Sequence, residues 1–252
     1  MLSKSQINLL KSLQHKKFRL DHGVFLVEGH KSISEFINSA YQVVTIYHTT
    51  AFDPKVLNLS QKINLCEISV TELEKISSLK TPQDVIAQIK IPQWPALHHS
   101  QLQGKFSLVL DGIQDPGNMG TIIRIADWFG IDHIICSDDT VDVYNPKVVQ
   151  ACMGSLARVK VYYTLLADFL AGVKLPAFGA LLNGDNIYTT DFGHEGLIIM
   201  GNEGNGLRPE VQQLVTQAVT IPRIGGAESL NVAIATALFC SEISRKKLIA
   251  NK

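Results

Sequence analysis

The sequence predicts an α/β protein with two domains, and three observations support this fold class. Short apolar segments alternate with helical patterns along residues 105–252, which is typical of a mostly parallel sheet covered by helices on both faces. A shorter α/β pattern occupies residues 1–92. Prolines, histidines and weak periodicity around residues 90–104 mark a boundary, and we assign residues 93–104 as the linker.

The N-terminal domain is predicted to alternate helices with the strands of a small sheet. The predicted helices cover residues 3–13, 31–38 and 71–77, and the predicted strands cover residues 24–27, 43–47, 63–68 and 85–91. Thr71 and Glu74 have the spacing of a capping box, so we expect the third helix to begin there.

The second domain is predicted to contain six strands and five helices. The predicted strands cover residues 106–110, 134–136, 159–163, 178–182, 197–200 and 218–221, and the predicted helices cover residues 121–129, 146–153, 165–171, 209–216 and 231–246. Asn118 is expected to cap the first of these helices, and Ser229 and Asn231 are expected to cap the last.

Charge and cysteine content argue against several classes of protein. The formal net charge is zero, so no overall field attracts nucleic acid or an anionic membrane. Cys136, Cys152 and Cys240 have apolar or small neighbours, and no C-x-x-C pair occurs, so we expect buried thiols rather than disulfides or zinc ligands. The N-terminus lacks the apolar core of a signal peptide, and no segment approaches the ~18 apolar residues of a membrane span. We therefore expect a soluble cytoplasmic protein with no metal site.

Positive charge is concentrated near the N-terminus. Residues 1–31 contain six lysine or arginine residues against Asp21 and Glu28, with three histidines among them. This pattern has two interpretations, a solvated helix face or a patch that contacts phosphates.

The first polar motif follows the first strand of the second domain. Asp115–Gly117 is predicted to form a turn at the carboxyl end of this strand. Ligands of parallel α/β sheets bind at the carboxyl ends of the strands. Arg124 lies on the following helix among apolar residues, where a guanidinium needs an acceptor. It either pairs with Asp127, three residues later, or is held to meet an oxyanion or a phosphate.

The second motif, Gly201-Asn-Glu-Gly-Asn-Gly-Leu207, again joins a strand to a helix through glycines. Its glycine order is not that of a dinucleotide-binding loop, and no Lys-Ser or Lys-Thr follows as in a P-loop. Glu203 inside the turn discourages a bound phosphate and favours an arginine, a hydroxyl or an amine. The alternative is a tight turn with a solvated carboxylate.

The third motif begins at Ile221 and continues through a glycine-rich turn, Ile224–Ala227, into a helix of small residues. Such a loop leaves backbone N–H and C=O groups free for a ligand, and small side chains let a neighbour pack closely. Because the carboxyl ends of parallel strands lie side by side, we expect the polar residues of the three motifs to converge on one crevice. These residues are Asn118, Arg124, Glu203, Ser229 and Asn231.

The three motifs together resemble those of the SpoU/TrmH family, S-adenosylmethionine-dependent RNA ribose 2′-O-methyltransferases of the SPOUT superfamily. The patterns are N-x-G-x-x-x-R from Asn118, G-N-E-G-x-G-L from Gly201 and I-P-x-x-G-x-x-E-S-L-N-V-A from Ile221. The resemblance covers residues 105–247 in the family's order and spacing. The N-terminal domain, with Phe25-Leu-Val-Glu-Gly29, more loosely resembles a substrate-binding domain similar to ribosomal L30e and L7Ae proteins.

The resemblance implies an α/β SPOUT domain whose C-terminal part is tied in a deep trefoil knot, a homodimer, and S-adenosylmethionine as the cofactor. It also implies that the cofactor lies against the loops of the three motifs. The predicted cofactor-binding residues are Leu182, Gly201, Asn202, Gly206, Ile221, Leu230, Asn231 and Ala233.

The same resemblance implies catalytic roles for the five polar residues of the motifs. In the family, the arginine matching Arg124 is proposed to deprotonate the ribose hydroxyl. Because arginine is effectively always charged, we expect Arg124 to stabilise the developing alkoxide or to clamp a phosphate instead. Glu203 and Asn118 are expected to orient Arg124 or the ribose, and Ser229 and Asn231 to brace the loop and the substrate.

The expected partner is RNA, ribosomal rather than transfer RNA, with no DNA or membrane partner. Contacts are expected through the basic N-terminal segment, Arg208 and Arg223. One alternative is an RNA-binding paralogue that has lost catalysis, which the intact polar residues disfavour. Another is a nucleotide-binding oxidoreductase, which would need G-x-G-x-x-G after the first strand of a βαβ unit.

Overall fold

The computed structural model describes residues 1–59 and 63–250. The chain divides into two compact units, each made from two stretches of sequence. The first unit combines residues 1–95 with residues 142–157, and the second combines residues 96–141 with residues 158–252.

The first unit is built on a four-stranded mixed sheet in the order β1-β4-β2-β3. Its strands are β1 (Val24–Glu28), β2 (Val43–His48), β3 (Asn64–Glu67) and β4 (Val85–Lys90), and its N-terminal helices are α1 (Lys4–Ser12), α2 (Lys16–His22), α3 (His30–Ile37) and α4 (Val70–Ile76). β4 runs antiparallel to both β1 and β2, and β2 and β3 are parallel. Four predicted strands and three predicted helices are therefore present, and no end is shifted by more than one residue.

Helix α4 begins at a capping box, but not at the predicted one. Ser69 is the N-cap, and its hydroxyl accepts a hydrogen bond from the Glu72 amide at 3.2 Å. The Glu72 carboxylate in turn accepts one from the Ser69 amide at 2.8 Å. The Thr71–Glu74 prediction was wrong because the capping residue lies two positions earlier, at Ser69.

Helix α2 was not predicted, because its single buried side chain is an arginine and no apolar periodicity marks it. Arg19 donates hydrogen bonds to the carbonyl oxygens of Leu13 at 2.8 Å and Gln14 at 2.9 Å. Its guanidinium also contacts Asp142, with the Nε to Oδ2 distance at 3.2 Å. Gly23, with φ of 63°, ends the helix in the left-handed region that glycine adopts without strain.

Residues 142–157 belong to the first unit by their contacts, whereas the predicted boundaries placed them in the second domain. This segment contains α6 (Pro146–Ala151) and a 3₁₀ turn, Ser155–Ala157. The ring of Tyr144 packs 4.7 Å from that of Phe25, which also contacts Tyr41. Burial raises the pKa of Tyr144 to about 12. Trp94 packs edge-on against Tyr41 in the same aromatic cluster.

The second unit is built on a six-stranded parallel sheet in the order β10-β8-β9-β5-β6-β7. Its elements are β5 (Phe106–Leu110), α5 (Pro116–Trp128), β6 (His133–Ser137), β7 (Lys160–Thr164), α7 (Leu166–Gly172), β8 (Ala177–Asn186), β9 (Gly196–Met200), α8 (Pro209–Gln212), β10 (Gln217–Thr220) and α9 (Val232–Ala250). Every residue of β5, β6 and β9 is buried, as expected for strands covered on both faces. The predicted parallel sheet is confirmed.

Several features of the second unit differ from the predicted elements, and helix α5 begins at Pro116 rather than at the predicted residue 121. Strand β8 extends to Asn186, and an added Cβ at Gly184 would lie 2.6 Å from the Ala218 backbone, so β10 approaches closely there. Helix α8 stops at Gln212 because the Thr216 amide already donates to the Ala177 carbonyl, 2.9 Å away, where the chain joins the sheet. The predicted linker also contributes to the core, through the buried side chain of Leu102.

Within the described residues, no helix is both long and apolar enough to cross a membrane. The same part of the chain holds no group of three or more His, Cys, Asp or Glu residues arranged to bind a metal ion.

Candidate active site at three strand-end loops

The three motifs follow β5, β9 and β10, three strands of one parallel sheet. β5 and β9 are neighbours, and β8 lies between β9 and β10. The loops after these strands are residues 111–115, 201–208 and 221–231. They therefore emerge at the carboxyl edge of the sheet, where α/β proteins bind ligands.

Asp115, not Asn118, caps helix α5. The Asp115 carboxylate accepts a hydrogen bond from the Asn118 amide at 2.8 Å, and Pro116 occupies the first helical position. The predicted capping role of Asn118 was therefore wrong. As the third residue of the helix, Asn118 keeps its side-chain amide for contacts with the other two loops.

A chain of side-chain hydrogen bonds connects the three loops. The Asn118 Nδ2 donates to the Glu203 Oε1 at 3.1 Å, and the Asn231 Nδ2 donates to the Asn118 Oδ1 at 2.8 Å. Glu203 also accepts bonds from the amides of Asp115 at 3.3 Å and Gln114 at 3.4 Å. Its carboxylate thus lies at the N-terminus of α5, where a negative charge is favoured. We call Glu203, Asn118 and Asn231 the amide network.

Asn231 has a second role, because its Oδ1 accepts the Ala233 amide at 2.9 Å and so caps α9. The capping prediction for Asn231 is confirmed by this bond. Ser229 is exposed, and its hydroxyl makes no hydrogen bond to any residue that the structure describes. It caps no helix and lies outside the amide network.

Arg124 is exposed on α5, and the structure does not bring it into the amide network. It makes no hydrogen bond or ion pair with the described parts of the chain, 1–59 and 63–250. The alternative of a pair with Asp127 is wrong, because the Asp127 carboxylate binds Arg158, with both N···O distances at 2.8 Å. The Arg124 guanidinium is therefore available to a ligand.

The Gly201–Leu207 loop is a tight hairpin. Asn202 and Gly206 exchange backbone hydrogen bonds of 2.9 and 3.0 Å. An added Cβ at Gly201 would lie 2.4 Å from the Gly206 carbonyl carbon, so only glycine fits. The Asn202 side chain builds the loop: its Oδ1 accepts the Gly204 amide at 2.9 Å, and its Nδ2 donates to the Gly112 carbonyl at 2.6 Å.

An ion pair beside this hairpin, between the buried Asp111 and the partly exposed Arg208, was not predicted. The Asp111 carboxylate is 1% exposed and accepts the Arg208 amide at 2.8 Å and the Arg208 Nε at 2.7 Å. Hydrogen bonding to Asp111 raises the pKa of Arg208. We had predicted Arg208 as an RNA contact, but its guanidinium is committed to Asp111. The only sequence signal was an acidic residue directly after a mostly apolar strand.

The loop after β10 presents free backbone groups and exposed apolar side chains. None of the amides from Arg223 to Leu230 donates a hydrogen bond within the described residues, as the sequence had suggested. Three apolar side chains are exposed near this loop: Leu182, which is 76% exposed, Ile224 and Leu230. Ile221 is half-buried and Ala233 is buried at the start of α9. Free amides and apolar surface beside a hairpin that tolerates no Cβ at Gly201 fit a nucleoside cofactor.

A parallel sheet with glycine-rich loops and converging polar groups at one edge defines an α/β cofactor-binding protein. Within that class the chain belongs to the SpoU rRNA Methylase family, which matches residues 105–241. Residues 4–87 match the MRM3-like substrate binding domain.

Curated relatives are similar to this chain over most of its length. One is the 23S rRNA (guanosine(2553)-2′-O)-methyltransferase RlmP of Bacillus subtilis, 29% identical over 234 residues that span 90% of this chain and 91% of the relative. Another is the 23S rRNA (guanosine-2′-O-)-methyltransferase RlmB of Acinetobacter baylyi, 32% identical over 77% of this chain and 84% of the relative.

Solved structures share the fold. A TrmH-family protein from Porphyromonas gingivalis is 39% identical, with a TM-score of 0.89 over 98% of this chain and 99% of that chain. An AdoMet-bound rRNA methyltransferase from Sinorhizobium meliloti is 27% identical, with a TM-score of 0.87 over 98% of this chain and 96% of that one. The two-domain architecture therefore recurs along the whole length.

Proposed function

We propose that the protein is an S-adenosylmethionine-dependent methyltransferase that modifies ribose 2′-hydroxyl groups of RNA. The observation that carries the proposal is the amide network, which joins the three motif loops. These loops carry the motifs of a protein that belongs to the SpoU family. Relatives matched over most of the chain are named 2′-O-methyltransferases. These findings favour an active enzyme over a paralogue that has lost catalysis.

We place the cofactor against the hairpin and the loop after β10. Gly201 and Gly206 would let it approach the backbone, and the free amides after Ile221 would bind its polar groups. The exposed side chains of Leu182 and Leu230 would cover its apolar face. Asn202 would act by shaping the hairpin, and Asn231 and Ala233 by fixing the start of α9. When bound, S-adenosylmethionine supplies a methyl group on a sulfonium sulfur, which is already strongly electrophilic.

The protein's own task is to orient the ribose and to stabilise its oxygen. Glu203 and Asn231 hold the Asn118 amide from both sides, which leaves one Asn118 N–H for the substrate. Arg124, charged at any working pH, would stabilise negative charge on the hydroxyl oxygen or clamp the adjacent phosphate. Ser229 is exposed and would brace the bound substrate.

We infer that the substrate is ribosomal RNA, because the relatives with established names act on 23S rRNA. Residues 1–92 would form the RNA-binding domain, similar to L30e proteins, residues 93–104 the linker and residues 105–252 the methyltransferase domain. The match to a substrate-binding domain family over residues 4–87 supports this division. A protein with this substrate would work in the cytoplasm.

We further propose a homodimer and a trefoil knot in the second domain. Apolar side chains stay exposed on α5, β8 and α9, among them Trp128 at 84% exposure, Leu182 and Ile234, and a second copy would cover them. The chain passes from β9 to β10 across β8, an order compatible with the knot. Analytical ultracentrifugation at micromolar concentration tests the dimer, which a single monomeric species would contradict.

Replacing Arg124 tests the catalytic assignment. Arg124→Ala should reduce methyl transfer by at least about a hundredfold, because a donor to developing charge is lost, while calorimetry should show nearly unchanged S-adenosylmethionine affinity. Arg158→Ala is the matched control, since it removes a surface guanidinium that binds α5 through Asp127. Normal methylation by Arg124→Ala would show that the assignment is wrong.

The RNA substrate can be identified by mapping ribose methylation across total RNA from a deletion strain and its parent. The proposal predicts the loss of a ribose methyl group from ribosomal RNA. An unchanged map, together with no S-adenosylmethionine binding by the purified protein, would contradict it.

A further inference from the structure

Helix α2 has a single buried side chain, that of Arg19. Among residues 14–22, only Arg19 is buried, and its guanidinium binds the Leu13 and Gln14 carbonyl oxygens and the Asp142 carboxylate. A buried arginine needs this full set of acceptors, since an uncompensated buried charge is costly. Arg19 is therefore the buried anchor of α2 in the first unit.

The remaining side chains of α2 are exposed and include large apolar ones. Phe18 is 38% exposed and Leu20 is 62% exposed. The ring of His15 meets that of Phe18 edge-on, with centroids 6.4 Å apart. Lys16 and Lys17 precede Phe18 directly and are also exposed. An aromatic face and two cations thus occupy adjacent positions on one short helix.

The structure leaves exposed the net positive charge that the sequence showed at the N-terminus. Of the charged residues among the first 31, Arg19 is neutralised by Asp142, and Glu28 is buried and accepts bonds from Ser77 and Ser78. The exposed charged side chains are Lys4, Lys11, Lys16, Lys17, Lys31 and Asp21. Five exposed lysines against one aspartate leave this segment positively charged at neutral pH.

We propose that α2 is a contact surface for single-stranded RNA, with Lys16 and Lys17 binding phosphates and the Phe18 ring stacking on a base. Aromatic rings beside cations are what proteins use for unpaired nucleic acid, because every base offers a π-face and every nucleotide a phosphate. A protein partner fits less well, since lysine is depleted at the centres of protein interfaces. The inference rests on the proposed function and names residues by which the N-terminal unit holds its substrate.

Binding of a fluorescein-labelled 20-nucleotide oligouridylate to the full-length protein tests the surface, with anisotropy measured at several salt concentrations. Lys16→Ala/Lys17→Ala should reduce the slope of log K against log salt by about 1.4, the value for two lost phosphate contacts on a single strand. Phe18→Ala should weaken binding at least about fivefold with the slope unchanged, because stacking involves no counterion release.

Two control variants lie in the same unit but outside α2. Lys75→Ala/Lys80→Ala removes two exposed lysines, and Leu65→Ala truncates an exposed apolar side chain on β3. Both should bind the oligonucleotide as the parent does. Parental affinity and slope in the α2 variants, or equal losses in the controls, would overturn the inference.

Methylation kinetics separate this inference from the proposed function. With RNA from the deletion strain, the α2 variants should raise KM for RNA while kcat and S-adenosylmethionine affinity stay at parental values. If the parent protein methylates RNA and the α2 variants match it in KM and in anisotropy, the inference fails and the proposed function stands. If the parent transfers no methyl group to any RNA, the proposed function fails, and anisotropy still decides the role of α2.

Discussion

Two residues connect the loop after β5 to the hairpin after β9. Asn202 binds the Gly112 carbonyl from one end of the hairpin, and Asp111 binds the backbone and side chain of Arg208 from the other. Glu203 lies between these two contacts, so its position over the N-terminus of α5 is set from both sides. Asp111 is therefore a positioning residue for the amide network rather than a group that touches substrate.

Asp111→Asn should weaken both folding stability and cofactor binding. The substitution replaces a carboxylate oxygen facing Arg208 with a group that cannot accept its hydrogen bond. We expect a loss of about 1–3 kcal/mol in the free energy of unfolding, moderated because Arg208 is 42% exposed. S-adenosylmethionine affinity should fall along with it, and denaturant unfolding and calorimetry measure the two effects.

Asp139→Asn is the matched control for this prediction. Its carboxylate lies 3.6 Å from the same Arg208 guanidinium, but it is exposed, so its replacement should cost less than about 0.5 kcal/mol. Equal effects of the two substitutions would contradict the special role of Asp111.

The sequence predicted which residues lie in the site better than it predicted their hydrogen-bond and ion-pair partners. Asn118, Glu203 and Asn231 were expected to converge, and they do form one hydrogen-bonded chain. The Asp111–Arg208 pair could not be predicted, because 97 positions separate its members and no local spacing links them. Arg124 was recognised as needing an acceptor, yet pattern alone could not show that Asp127 is taken by Arg158.

Among the elements, the Gly201 hairpin has the least tolerance for added atoms. Gly201→Ala would bring its Cβ to 2.4 Å from the Gly206 backbone, which cannot move as a side-chain tip could. We expect S-adenosylmethionine affinity to fall at least about tenfold, because the hairpin must open. Gly204→Ala in the same hairpin should have little effect, since its Cβ would meet only the Asn202 Oδ1, 3.6 Å away. Unchanged binding by Gly201→Ala would contradict the placement of the cofactor.

Strand β6 begins with a buried histidine. Burial lowers the pKa of His133, and only the neighbouring Asp132 carboxylate, 2.8 Å from its Nδ1, favours the charged form. The lowered pKa means that the unfolded chain binds a proton at a higher pH than the folded protein does. Stability should therefore fall as the pH drops below about 6.5, the ordinary histidine value.

His133→Phe should remove this part of the pH dependence. The phenyl ring can keep the stacking on Tyr162 but cannot bind a proton. Between pH 7 and 5.5, the unfolding free energy of the parent should decline with a slope of up to about 1.4 kcal/mol per pH unit more than that of the variant. Denaturant titrations at fixed ionic strength measure both slopes, and parallel curves would show that His133 does not contribute.

The elements most accurately predicted were those with a periodic apolar pattern. β5 was predicted at its observed bounds because all five residues are apolar or small and buried. Helix α2 was missed because Arg19 holds it in place of an apolar face. The N-cap of α4 was misplaced by two residues, since Ser69–Glu72 and Thr71–Glu74 both fit a capping box and only packing selects between them.

At the scale of the whole molecule, residues 142–157 make the first unit discontinuous in sequence. The chain leaves the second unit after Val141, contributes Asp142 and Tyr144 to the core of the first, and returns at Arg158. A fragment of residues 1–95 alone would contain the buried Arg19 without the Asp142 carboxylate. Removing one partner of a buried ion pair lowers the free energy of unfolding by about 3–5 kcal/mol.

A cut in the linker should therefore leave the two pieces associated. A protease site placed at residues 93–98 would yield fragments that co-elute in size-exclusion chromatography, because residues 142–157 remain packed in the first unit. The variant Asp142→Ala/Tyr144→Ala should release the N-terminal fragment after the same cut. Separation of the fragments in the parent protein would contradict this organisation.

The whole-molecule arrangement was only partly accessible from the sequence. The parallel sheet followed from alternating strands and helices, and its strand order follows from pairings between distant segments. Assignment of residues 142–157 to the first unit depends on contacts such as Tyr144 with Phe25, which are 119 positions apart and leave no periodic signal. The predicted knot likewise depends on whether one segment of the chain passes through a loop formed by another, which residue patterns do not record.

The two tryptophans of this chain lie in different units and in different surroundings. Trp94 packs against Tyr41 in the aromatic cluster of the first unit, and Trp128 projects from α5 of the second. Their fluorescence should differ, with a shorter emission wavelength for the sheltered indole and a longer one for the exposed indole. Single Trp→Phe variants would give one intrinsic optical reporter for each unit, so that their unfolding can be followed separately in the unlabelled protein.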